Sequence, residues 1–259
     1  MSTSLKGKWV LITGASSGFG AAAARAFGSQ GARVILGARR VNRLVTVAAE
    51  AAKAGSPESI HHPLDVSSTS SVEAFMAWVR THTRTLDVLI NNAGGALGLD
   101  PVSTATDADW EGMMQTNVLG LLRVTRAALP LLTDTPGSLI LNIGSIAGRV
   151  AYEGGAAYCA AKAGELQITR ALRLELCGTG VRVGTLDPGL AETEFSKVRF
   201  KGDEARAAKV YEGVTPLAAE DVAEAMVWMA NRPAHVTIDE MVIKCTDQAA
   251  IHKVNRQPR

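Results

Sequence analysis

At 259 residues the chain has room for one large α/β domain but not for two full ones. A hydrophobic content of 47% against 20% charged residues excludes a disordered chain, and a net charge of +2 with 5% aromatics leaves no footprint for nucleic acid. No run is long and apolar enough for a secretory signal or a membrane span, and the cysteines (Cys159, Cys177, Cys245) lack C-x-x-C spacing, which fits a reduced, cytoplasmic protein.

In chain order, short β-branched or apolar runs alternate with longer helix-forming stretches. Trp9–Thr13, Arg33–Gly37, Ile60–Pro63, Val88–Asn91, Ser138–Ile143, Val181–Leu186 and Val236–Ile243 read as strands. Ala21–Gln30, Arg39–Ala54, Trp110–Leu132 and Ala156–Leu176 read as helices. Such alternation predicts a parallel sheet covered on both faces. With right-handed crossovers it becomes a Rossmann-type, doubly wound fold of about seven strands, one domain over 1–259. Two stretches stand apart. Leu190–Val214 follows a Pro-Gly turn, mixes charges and has no strand period, which suggests a lid over a site. The basic tail Lys244–Arg259 is expected to fray or to dock on a neighbouring subunit.

Directly after the first strand comes Thr13-Gly14-Ala15-Ser16-Ser17-Gly18-Phe19-Gly20, which opens an alanine-rich helix. Glycines let main-chain N–H groups approach a pyrophosphate, and the helix N-terminus adds partial positive charge. The second strand ends in Ala38-Arg39-Arg40. An acidic residue there would bind the adenosine ribose hydroxyls and repel a 2′-phosphate; Arg39 and Arg40 instead offer guanidinium forks for that phosphate. NADP is the expected cofactor.

Tyr158 and Lys162 are four apart on a strong helix former and project from one face. A tyrosine titrating near its usual ~10 is a poor base at neutral pH, and a neighbouring ammonium favours the phenolate. Ser145 closes the fifth strand, where such sheets place their ligands. His61-His62 has no third ligand at useful spacing, so no metal is expected. Asp107, Asp109 and Glu111 suit the first turn of the helix that begins near Trp110.

Together these motifs resemble the short-chain dehydrogenase/reductase family over essentially the whole chain. Thr13–Gly20 matches its glycine motif, and Asn91-Asn92-Ala93-Gly94 the motif that stabilises the central sheet beside the cofactor. Asn117, Ser145, Tyr158 and Lys162 fall in the order of the family's catalytic tetrad. Asp65-Val66 is similar to the pair beside the adenine ring, and Asp187-Pro188-Gly189 with Thr193 to the segment contacting the nicotinamide carboxamide. The resemblance implies Tyr158 as general acid/base, Ser145 orienting the carbonyl, Lys162 tuning the tyrosine and holding the nicotinamide ribose, and Asn117 supporting a relay water. It also implies a homotetramer.

The C-terminal third is similar to bacterial NADP-dependent 3-hydroxy acid dehydrogenases, a group that includes serine and L-allo-threonine dehydrogenases and related aldehyde reductases. Pro188-Gly189-Leu190, Thr193-Glu194-Phe195-Ser196, Val198–Asp203 and Pro233–Val236 carry that likeness. It implies a small polar substrate, a 3-hydroxy acid or related aldehyde. Ser145, Arg149, Phe195 and Arg199 are the candidate contacts, and Arg149, near the Ser145 end of the sheet, offers a guanidinium fork to grip a carboxylate. Arg149 departs from the small polar residue expected there, and Cys245 from a proline. A general ketone or 3-oxoacyl-thioester reductase is the alternative within the enzyme class. An NADPH-sensing binding protein is the alternative outside it.

Overall fold

The structure is a computed structural model that describes residues 4–257. Seven parallel strands, β1 (Trp9–Thr13), β2 (Arg33–Ala38), β3 (Ser59–Pro63), β4 (Val88–Asn91), β5 (Leu139–Ile143), β6 (Arg182–Pro188) and β7 (Glu240–Ile243), form one sheet in the order β3-β2-β1-β4-β5-β6-β7. The chain winds outward from β1 to one edge, returns beside β1 at β4, and winds to the other edge. A crevice therefore opens at the C-terminal ends of β1 and β4, the usual place for a ligand in such a sheet.

Side-chain alternation explains why both faces are covered. Val10 and Ile12 of β1 pack with Val34 and Leu36 of β2 under α1 (Gly18–Ser29), α2 (Val41–Ala54) and, further along, α9 (Ala219–Ala230). Leu11, Ile35, Leu89 and Ile140 point the other way. They meet Phe75 and Met76 of α3 (Thr69–His82), then Val124 and Leu132 of α5 (Gly120–Thr133) and Leu172 of α6 (Ala156–Glu175).

Local details depart from the expectation in three places. The stretch read as one helix from Trp110 is divided into α4 (Asp107–Met113), a π-helical turn (Met114–Leu119) and α5. It starts earlier than expected because Thr106 caps it, accepting from the Asp109 amide at 3.3 Å, with Asp107 and Asp109 in the first turn. The last strand is shorter than Val236–Ile243, since Val236 closes a turn onto the Pro233 carbonyl.

Within the described residues the tail is ordered against its own chain; positions 258–259 lie outside them. It forms a small antiparallel pair, β8 (Gln248–Ala250) and β9 (Lys253–Val254), against its own chain. Gln248 Oε1 accepts from the Leu190 amide at 2.7 Å, and the Gln257 amide donates to the Gly213 carbonyl at 2.8 Å. The tail thus ties down both ends of the segment 190–214, which contains α7 (Phe195–Arg199) and α8 (Glu204–Lys209). No helix of the described residues is long and apolar enough to cross a membrane.

Candidate active site

The glycine loop is held from below by β4. Thr13 Oγ1 accepts from the amides of Asn92 and Ala93 at 3.0 and 2.9 Å, and Asn92 Nδ2 donates to the Thr13 carbonyl at 2.9 Å. Gly14 has φ +64°, and a Cβ there would lie 2.8 Å from Ala93 Cα. Only glycine allows the loop to lie this close to Ala93. Gly18, Phe19 and Gly20 begin α1, Ser17 is its N-terminal cap position, and no acidic residue occupies the first turn. Thr193 packs on Gly18 from the segment after β6. The helix N-terminus therefore opens into the crevice beside Ala93, Gly94 and Thr193.

Beside the loop, β2 ends in a basic cluster. Arg40 Nε donates to Ser16 Oγ at 3.2 Å, and another of its nitrogens donates to Ser17 Oγ at 2.6 Å. Its remaining nitrogen meets Glu194 at 2.8 Å, which Arg43 grips through the other carboxylate oxygen. The two guanidinium groups hold the Glu194 carboxyl down to about 2. Arg39 is exposed, and its charge reaches Asp65, whose carboxyl is lowered chiefly by the Ser67 hydroxyl. Val66 is buried next to Gly120.

Deeper in the crevice, α6 presents Tyr158 and Lys162 on one face. Tyr158 is 9% exposed, and the Ser145 hydroxyl lies near enough to its phenol to pull its titration down. Ser145 has extended backbone after β5, and its Oγ accepts from the Ala147 amide at 3.1 Å. Lys162 Nζ donates to the Ile143 carbonyl and to Glu165 Oε2, both at 2.7 Å. Asn117 sits in the π-helical turn, donating to the carbonyls of Gly95 and Met113 at 2.9 and 2.8 Å. Such turns break the i→i−4 ladder and re-aim a side chain. A Cβ on Gly94 would stand 2.6 Å from Asn117 Oδ1 and 3.7 Å from Lys162 Nζ, so the bare glycine lets the two approach.

Electrostatics at this cluster oppose one another. Burial raises the Tyr158 hydroxyl above its ordinary range, Lys162 and the Ser145 hydroxyl pull it down, and Glu165 pushes it up. Burial lowers Lys162, but Glu165 and Tyr158 together raise it above its ordinary value. Over the phenol, Arg199 is fixed by the Gly98 carbonyl at 2.8 Å and stacks its guanidinium 5.4 Å from the Tyr152 ring and 5.9 Å from the Tyr158 ring. The Phe195 ring lies 5.5 Å from that of Tyr158. A narrow cleft beside them is lined by Leu97, Trp110, Met113, Ala157, Tyr158 and Arg199.

One expectation changes. Arg149 does not face this cleft as an open carboxylate anchor. Its Nε donates to Asp187 Oδ2 at 2.5 Å and its terminal nitrogen to Glu240 at 2.7 Å, a bracket between β6 and β7. The Asn91 side chain ties the central sheet together in the interior, its amide donating to Thr125 and Asn142, both at 2.9 Å. Glu165, Glu194, Arg43 and Tyr152 were not singled out from the sequence. Arg43 lies one helical turn after Arg39 and Arg40, a spacing that would have marked it.

Comparisons with known proteins agree with this geometry. The family model for the short chain dehydrogenases matches residues 8–204. An NADP-dependent 3-hydroxy acid dehydrogenase of Salmonella typhi is 46% identical over 231 residues, 89% of this chain and 92% of that protein. A sulfoacetaldehyde reductase of Chromohalobacter salexigens is 44% identical over 242 residues, 93% of this chain and 95% of that protein. The closed form of a serine dehydrogenase complexed with NADP+ matches with a TM-score of 0.89 at 40% identity, covering 97% of this chain and 100% of that one.

Proposed function

Because this chain belongs to the short-chain dehydrogenase family, we propose that it transfers a hydride between NADP(H) and a small polar hydroxy or carbonyl compound, a 3-hydroxy acid or a related aldehyde. The observation that carries this reading is the buried Tyr158 phenol, beside Ser145 and one helical turn from Lys162, at the ligand-binding end of the sheet.

The residues fit the cofactor. Gly14, Ser16, Ser17, Gly18, Phe19 and Gly20 form a close-packed loop at a helix N-terminus that lacks acidic residues, suited to a pyrophosphate. Arg39, Arg40 and Arg43 gather positive charge where a 2′-phosphate distinguishes NADP from NAD. Asp65 and Val66 border the adenine end. Ala93, Gly94, Pro188, Gly189 and Thr193 border the nicotinamide end, with backbone rather than side chain available at Asn91. When bound, NADP(H) supplies or takes up the hydride.

The chain's own groups manage the proton. In reduction Tyr158 donates its phenolic proton to the substrate oxygen, and in oxidation the phenolate takes it back. The Ser145 hydroxyl orients that oxygen. Two of the three Lys162 protons are committed to Ile143 and Glu165, which leaves one for the nicotinamide ribose or a water. Asn117, close to Lys162 across Gly94, supports the water path by which Tyr158 is reprotonated.

Arg199, rather than Arg149, anchors the substrate's anionic group. Its guanidinium is pinned over the Tyr158 ring by Gly98 and Tyr152. The relatives named for a hydroxy acid and for a sulfonated aldehyde share an anion near the reacting carbon. Segment 190–214, carrying Phe195 and Arg199, acts as a lid within a single domain. The protein works as a homotetramer in the cytoplasm, as the family resemblance suggests.

Steady-state NADPH consumption with short 3-oxo acids, sulfonated aldehydes, their neutral esters and simple ketones tests this reading. The anions should be preferred. Arg199→Ala should cost them about 10–100-fold in kcat/KM, the worth of one charge-assisted contact, and leave neutral ketones almost unchanged. Equal use of acid, ester and ketone by the wild type would contradict the substrate class.

A further inference from the structure

Glu165 lies on α6 one turn past Lys162, is 2% exposed, and has no part in the chemistry above. Its Oε2 accepts from Lys162 Nζ at 2.7 Å. Its Oε1 is buried with no hydrogen-bond partner among the described residues. A buried carboxylate with an unmet oxygen is expensive, and a hydrocarbon would fill the same helix position without that cost. Packing therefore does not account for a carboxylate here; its charge does.

The groups around it define what that charge meets. On its own helix these are Lys162 and Tyr158. From β6 comes Asp187, which is itself paired with Arg149 and hydrogen-bonded to Thr185. Arg199 of α7 lies over the far side of the Tyr158 ring. The π-helical turn contributes only the neutral Asn117, and β5 the neutral Asn142, whose amide reaches Thr169 at 2.8 Å. Among the described residues Lys162 is thus the one cation that Glu165 touches, and Tyr158 is the group that feels both.

We propose that Glu165 is a positioning residue acting on Tyr158 through Lys162: its carboxylate fixes the ammonium and offsets the positive charge that the phenol meets, which biases the site toward proton donation and carbonyl reduction. This rests on the reading of Tyr158 as the proton donor. An ammonium alone would favour the phenolate. Paired with a carboxylate, it presents a dipole to the phenol instead of a full charge. Burial pushes the Glu165 carboxyl up to about 7 against the pull of Lys162, so the offset grows as pH rises through neutrality.

The test is a tyrosinate absorbance titration of the cofactor-free protein. The Tyr158 curve is obtained as the difference between each protein and the same protein carrying Tyr158→Phe. Glu165→Gln should move the Tyr158 midpoint down by about one pH unit, a tenfold gain in phenolate at fixed pH. The acid limb of kcat/KM for alcohol oxidation should move with it, while Glu165→Asp should stay near the wild type. Glu165→Leu keeps the packing volume and should give the same displacement, which covers a glutamine variant that fails to fold. A Tyr158 midpoint unchanged in either folded variant overturns the proposal. That result is separate from failure of the underlying reading, which would appear as a Tyr158→Phe protein that retains turnover.

Discussion

Arg40 spans the mouth of the cofactor crevice, with Ser16 and Ser17 on one side and Glu194 at 2.8 Å on the other. One guanidinium thereby links the glycine loop to the segment that follows β6. The bond is partly exposed, with side-chain exposures of 42% and 37%, and exposed ion pairs are worth only about 0–1 kcal/mol. Glu194→Gln should therefore change thermal stability little. It should tighten NADP binding relative to NAD, because Arg40 and Arg43 lose a competing anion. Isothermal titration with both cofactors checks this, and equal changes for the two would contradict it. The Glu194 carboxyl sits at about 2, below its ordinary 4.5. Its contribution is therefore fully present above the ordinary value and lost only as pH falls through about 2. NADP preference should not vary between neutral and mildly acidic pH on its account.

Removing the arginines has the opposite effect. Arg39→Ala and Arg40→Ala should each lower the ratio of kcat/KM for NADP over NAD by about 10–100-fold, given roughly 1.5–3 kcal/mol per charge-assisted contact. Arg43→Ala should act in the same direction more weakly, since it begins one turn further into α2. An unchanged ratio for any of them removes that residue from the phosphate site.

Arg149→Ala should damage the fold instead of the substrate preference. Asp187 is 1% exposed, and apart from Thr185 its side chain is met by Arg149. Removing the guanidinium leaves a buried carboxylate without its counter-ion, a loss of about 3 kcal/mol. Chemical denaturation should register this. kcat/KM for a 3-hydroxy acid and for its methyl ester should fall together. A selective loss for the acid would restore Arg149 as an anchor.

Arg149 also shows where the sequence stops being informative. Its partners are 38 and 91 residues away, so nothing local distinguishes a bracketing arginine from one that grips substrate. The glycine loop, the strand alternation and the Tyr158–Lys162 spacing are local patterns, and they were legible for that reason. Asn117 was legible as a motif, but the π-helical turn that aims it was not, because Trp110–Leu132 keeps its helical period through the break. Glu165 reads as an ordinary helix former, and only its burial against Lys162 shows otherwise. The tail hairpin depends on Gln248 and Gln257 finding Leu190 and Gly213, contacts that basic composition alone cannot signal.

The central claim is that Tyr158 moves the proton, and Tyr158→Phe tests it most directly. The ring keeps its place against Phe195, so NADPH binding, followed by nucleotide fluorescence, should stay within a few-fold of the wild type. General acid–base catalysis of this kind contributes about 10²–10⁴-fold, and kcat for carbonyl reduction should fall by that factor. A Tyr158→Phe protein that binds NADPH and retains most of its kcat would contradict the account.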